Sequence, residues 1–140
     1  MAEARGGQGL RFAGYASVFD HRDRGGDIVR KGAFRRTLER KAPVPLLWQH
    51  QSGRSVGVIE HLAEDERGLQ VIARLNDDEF GRLLSRELSQ GRLSGLSFGY
   101  RVRQSATNHR ARELNDVELL EVSLVRRPMQ PLARVHKVTR

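Results

Sequence analysis

A serine between two glycines, a histidine that closes an apolar run, and a glutamate set inside another apolar run are the residues whose types and spacing could do chemistry here. In Gly91-Arg92-Leu93-Ser94-Gly95-Leu96-Ser97-Phe98-Gly99-Tyr100, an extended strand places Leu96, Phe98, Tyr100 and Val102 on one face, and Gly95, Ser97 and Gly99 on the other. Glycine weakens a strand, so two around one hydroxyl predict close approach by another chain or a catalytic partner, with Ser97 open to it. A serine hydroxyl is a weak nucleophile until a base takes its proton. His50, which ends Leu46-Leu47-Trp48-Gln49-His50, is the candidate base, because a neutral imidazole titrates near neutrality. Glu121 interrupts the apolar run 117–125 and would be costly to bury unpaired. Orienting His50 through its second ring nitrogen would supply such a partner.

Each residue also has a plainer reading. His50 could be an ordinary strand-end histidine, and Glu121 could pair with an arginine or face outward. Ser94 and Ser123 are rival nucleophiles without flanking glycines. Gly95-Leu96-Ser97-Phe98-Gly99 has the letters of a nucleophile elbow, but strand pattern continues on both sides, which excludes an α/β-hydrolase reading. His21, His61, His109 and His136 make no zinc spacing, so neither a metal nor a cofactor is expected.

The elements that must position these groups follow from periodicity. Strands are expected over 10–19, 28–29, 44–50, 55–62, 69–75, 95–103, 113–125 and 132–138, the last at a sheet edge. A hairpin turn at 65–68 makes its two flanking strands antiparallel. Short and long helices are expected over 31–40 and 77–90, the second with Phe80, Leu83, Leu84 and Leu88 on one face, Asn76 as N-cap and Gly91 as its stop. Many strands, few helices and no βα alternation predict a mostly β (α+β) fold: a closed or nearly closed antiparallel barrel with two peripheral helices. Residues 1–9 read as a flexible N-terminus and 10–140 as one domain.

Composition bounds the rest. The chain has 140 residues, no cysteine and a formal charge of +8. The length suits one domain, and the missing cysteines exclude disulfides and thiolate catalysis. No apolar run reaches the roughly 20 residues of a membrane span or the core of a secretion signal, so a cytoplasmic protein is expected. The positive charge favours anionic partners. It is scattered over arginines without a nucleic-acid motif, so nucleic acid is not expected as the main partner.

Taken in order, Phe12-Ala13-Gly14-Tyr15-Ala16, Asp27, Gly32-Ala33-Phe34, Val44-Pro45-Leu46-Leu47-Trp48-Gln49-His50, Val56-Gly57, Gly68-Leu69, the Ser97 segment and Leu119-Leu120-Glu121-Val122-Ser123-Leu124-Val125 with Pro128 resemble the HK97-type prohead (capsid maturation) serine proteases of tailed bacteriophages and gene transfer agents. The resemblance spans roughly residues 10–135 and implies the fold of herpesvirus assembly proteases. It matches His50 to the family's histidine, Ser97 to its nucleophile and Glu121 to the acid of its Glu-Val-Ser-Leu-Val segment. It further implies a capsid-protein precursor or scaffold segment as substrate, action inside immature capsids in a bacterial host, and, since related viral assembly proteases dimerise, a homodimer. Two positions depart from the family: Gln51 where an aspartate is common, and Met129-Gln130 where an asparagine often follows the proline segment. The competing reading is a non-catalytic capsid assembly or scaffold-binding factor of the same fold.

Overall fold

The computed structural model describes residues 9–139, so the expected flexible segment lies, but for Gly9, outside the described residues. The elements are β1 (Arg11–Val18), β2 (Asp27–Val29), α1 (Arg35–Arg40), β3 (Leu46–Trp48), β4 (Ser55–Glu64), β5 (Gly68–Leu75), α2 (Glu79–Ser89), β6 (Gly95–Thr107), β7 (Arg112–Val125) and β8 (Val135–Thr139). One sheet runs β2-β7-β3-β4-β5-β1-β8, with β6 paired to β7. Its far side curls back on β6: Leu96 N–H donates to Ala133 O at 3.0 Å and Val135 N–H to Ser94 O at 2.7 Å, flanking a bridge between Gly95 and Arg134.

The mostly β architecture with two helices is as the periodicity predicts, but the sheet is mixed and not wholly antiparallel. Both β2 and β3 run parallel to β7, against residues 112–114 and 122–124. They share one edge of β7 and leave a gap between them. Backbone groups there still need partners, and α1 and the turn before it supply them. Leu119 N–H donates to Thr37 Oγ1 at 3.1 Å, and Val117 N–H donates to Ala33 O at 3.0 Å.

Local chemistry explains where elements differ from their expected bounds. The helix expected over 31–40 begins only at Arg35. Gly32 sits at φ +95°, and the N–H groups of Gly32 and Phe34 are taken by the Glu64 carboxylate at 2.8 and 2.9 Å. Asp78, not Asn76, caps α2 by accepting from Gly81 N–H at 2.8 Å; Asn76 N–H is committed to Val56 O. Of the apolar helix face, Leu84 and Leu88 are buried whereas Leu83 is 41% exposed. β6 runs on to Thr107, past the expected strand end at 103. The core is filled from β1, β3, β5, β6 and β7 by Phe12, Leu46, Leu69, Val71, Leu96, Val122 and Leu124, with Phe34 packed edge-on against Phe98. Among the described residues no helix is long and apolar enough to cross a membrane.

Candidate active site

Register along β7 sets the site. Ser97 pairs with Ser123 and Gly99 with Glu121, and directly paired residues of antiparallel strands project to the same face. Ser97, Glu121 and Ser123 therefore share one face, opposite the core face of Leu96, Val122 and Leu124.

On the other edge of β7, β3 stops at Trp48. The strand expected to carry His50 ends two residues early because Gln49 and His50 take φ values of +53° and +61°. Left-handed backbone at two successive non-glycine residues is costly, about 1–3 kcal/mol each, and persists where the surroundings enforce it. Here Gln49 N–H donates to Leu124 O at 2.9 Å, and His50 N–H donates to the hydroxyl of Ser123 at 3.0 Å. That hydroxyl in turn donates to Glu121 Oε1 at 2.7 Å. The turn swings the His50 ring over β7, where Nδ1 meets Glu121 Oε2 at 2.5 Å.

This contact fixes the chemistry of the ring. A carboxylate can only accept, so Nδ1 carries the proton and Nε2 of the neutral ring is left as an acceptor. The hydrogen bond with Glu121 raises the His50 pKa above its ordinary value; partial burial opposes the rise and the carboxylate charge adds to it. The His50 side chain is 43% exposed against 13% for Glu121, which suits a base that must reach substrate and an acid that must only hold the base.

The glycines beside Ser97 are closely approached, as the sequence suggests, but the approach does not leave Ser97 open. A Cβ on Gly99 would lie 2.3 Å from Glu121 Oε2, and one on Gly95 would lie 2.5 Å from Val125 O. The space is filled by the carboxylate and the neighbouring strand, and Ser97 is only 7% exposed. Its accessible side opens into a cleft of about 470 Å³ that is also lined by His50, Gln49, Arg126 and Arg127. Among the described residues no hydrogen bond joins Ser97 Oγ to the ring.

The rival hydroxyls are occupied elsewhere. Ser123 is fully buried between His50 and Glu121, and Ser94 Oγ accepts from Arg134 at 3.0 Å. None of His21, His61, His109 and His136 lines this cleft. Among the described residues no cluster of three or more metal-ligating side chains occurs. Sequence reasoning missed Gln49, whose Oε1 accepts Arg126 N–H at 2.7 Å, while the Arg126 guanidinium lies 5.3 Å from the centre of the Trp48 ring. Together they tie the loop after β7 to the turn that carries His50. The signal available was a polar residue directly before the candidate base.

Solved structures of viral assembly proteases share this curled β sheet. The bacteriophage T4 capsid assembly protease aligns with a TM-score of 0.67 at 17% identity, over 86% of this chain and 84% of that one. The KSHV protease, solved with a hexapeptide phosphonate inhibitor, aligns at 0.61 and 14% identity over 95% of this chain and 66% of that one. At such identities the likeness speaks for the fold, and it bears out the herpesvirus-protease-like expectation.

The chain belongs to the caudovirus prohead serine protease family, whose model matches residues 1–140. It is similar to the prohead protease of Enterobacteria phage HK97, 38% identical over 100 residues. That match covers 69% of this chain and 44% of the relative, so the chain spans less than half the length of the curated protein it matches.

Proposed function

We propose that this chain is a serine endopeptidase that cleaves a major capsid protein precursor, a scaffold segment or both during maturation of a phage-like head, with Ser97 as nucleophile, His50 as base and Glu121 as the acid that orients the base. The observation that carries the reading is the 2.5 Å contact of His50 Nδ1 with Glu121 on the face of β6–β7 that bears Ser97, beside a cleft that both Ser97 and His50 line. Family membership supports the same chemistry.

In this mechanism His50 Nε2 takes the Ser97 proton as Oγ attacks the scissile carbonyl. The tetrahedral intermediate collapses with the amine leaving on the proton returned by His50, and water, activated by the same ring, releases the acyl group. Unliganded sites often have a looser nucleophile–base contact than the Michaelis complex, so substrate is expected to draw Ser97 and the ring into hydrogen-bond range. Developing oxyanion charge needs N–H donors. Candidates are the backbone near Ser97 and the loop at Arg126-Arg127; within that loop Arg126 N–H is already taken by Gln49, which favours Arg127.

Co-expression with the cognate capsid precursor tests the proposal. Intact-mass spectrometry should find a truncated capsid protein with wild type and the full-length precursor with Ser97→Ala or His50→Ala. Identical processing with all three would leave an assembly factor of the same fold as the better reading.

A further inference from the structure

We propose that the cleft selects a substrate with an acidic side chain, aspartate or glutamate, on the residue that supplies the scissile carbonyl; this inference rests on the proteolytic reading above and specifies its substrate class. The cleft that holds Ser97 and His50 is lined by three arginines, Arg24, Arg126 and Arg127, and by two aspartates, Asp23 and Asp27. By formal charge the two signs nearly balance. By engagement they do not.

Both acids are used within the wall. Asp27 is gripped by Arg112 at 2.9 and 3.0 Å and receives the Tyr100 hydroxyl at 3.2 Å, and the Arg112 guanidinium holds its carboxyl below the usual range. Asp23 turns back on its own loop, where Oδ1 accepts Gly25 N–H at 2.8 Å and Asp27 N–H at 2.9 Å. The arginines are not used in this way. Among the described residues none of the three guanidiniums makes a salt bridge or a hydrogen bond, whereas Arg30, Arg74 and Arg92 elsewhere all hold carboxylates. Arg126 rests on Trp48, and Glu87, which feels its charge, is bonded to Arg92. The cleft is thus net cationic where a ligand would lie, and guanidinium geometry suits a carboxylate.

A second, independent feature points to a ligand. Ser17 is 1% exposed, lines the same cleft, and its hydroxyl has no partner among the described residues. A buried hydroxyl without a partner is unfavourable, and it can donate to a carboxylate that enters from the Ser97 side. Walls of Val29, Leu96 and Met129 would pack the methylene groups of that side chain.

The test uses three peptidyl diphenyl phosphonates that differ only in the residue bearing phosphorus: the glutamate, glutamine and lysine analogues. Ser97 Oγ forms the new P–O bond, one phenoxide leaves with the serine proton as phenol, and intact mass reports the rate. The glutamate analogue should label wild type about 2- to 5-fold faster than the glutamine analogue, the scale of an exposed charge pair, and faster still than the lysine analogue. Arg24→Glu, at an exposed loop position, should erase that preference. Labelling of Ser97 with glutamine or lysine equal to or ahead of glutamate overturns the acidic preference and leaves the nucleophile standing. If neither these probes nor a small uncharged fluorophosphonate labels Ser97, the proteolytic reading itself falls, and this inference with it.

Discussion

The two edges of β7 hold the two halves of the site by different means. On one edge β6 pairs with β7 in antiparallel register from Gly95 to Thr107, so the place of Ser97 is dictated by backbone ladder bonds. On the other, β3 contributes three paired residues before the chain enters left-handed backbone at Gln49 and His50. The proposed base, His50, is therefore positioned by side chains: Ser123 at its N–H, Glu121 at its ring, and Gln49 clasping Arg126. A nucleophile on a regular strand tolerates most nearby changes except added bulk. A base on a strained turn depends on each polar group that holds it.

Substitutions that remove the acid break this comparison most strongly. Glu121→Gln should cut kcat/KM by about 10⁴-fold, because the amide no longer enforces the Nδ1–H tautomer. The pH profile carries the sign. Glu121 raises the His50 pKa and the base works only when neutral, so wild-type activity should rise with pH through a midpoint above the ordinary histidine value of roughly 6.5. In the residual activity of Glu121→Gln that limb should move to lower pH. For stability the same raised pKa works in the opposite sense. The protonated ring's pairing with Glu121 contributes fully below the unfolded-state pKa and is lost as pH rises through the folded-state value.

Gly99→Ala comes next in expected effect. It touches neither nucleophile nor base, yet its methyl group would take the place of Glu121 Oε2. Displacement on that scale should cost about 10²-fold in kcat, with the fold retained by circular dichroism. Wild-type activity in this variant would show that the glycine is not there for the carboxylate. The smallest effect is expected of Gln49→Ala, which frees Arg126 N–H. Losing one hydrogen bond, about 1 kcal/mol, predicts a loss of about 5-fold, carried by kcat rather than KM.

Much of this arrangement is legible in the sequence. Alternation found the strands. Ser97, His50 and Glu121 each stood out because a polar group had been set against an apolar or glycine background. What stayed hidden depended on contacts distant in sequence. Nothing local in Gln49-His50 announces left-handed backbone, since neither residue is glycine; the conformation is enforced by Leu124 and Ser123 across the sheet. The parallel pairing of β3 with β7 joins segments more than seventy residues apart, which periodicity does not register. Gly99 marks the close approach that Glu121 makes; the openness expected of Ser97 is what fails, because a missing side chain does not say what fills the space. Ser123 looked like a spare nucleophile until burial between an amide and a carboxylate defined its work.

The most direct measurement is the rate at which diisopropyl fluorophosphate modifies the folded protein across pH, read by intact mass and peptide mapping in wild type and His50→Ala. The account predicts a single adduct on Ser97, a rate that follows one ionisation displaced above the ordinary histidine range, and a loss of at least about 10²-fold without the imidazole. An adduct on another residue, or labelling of Ser97 at the same rate without His50, would contradict it.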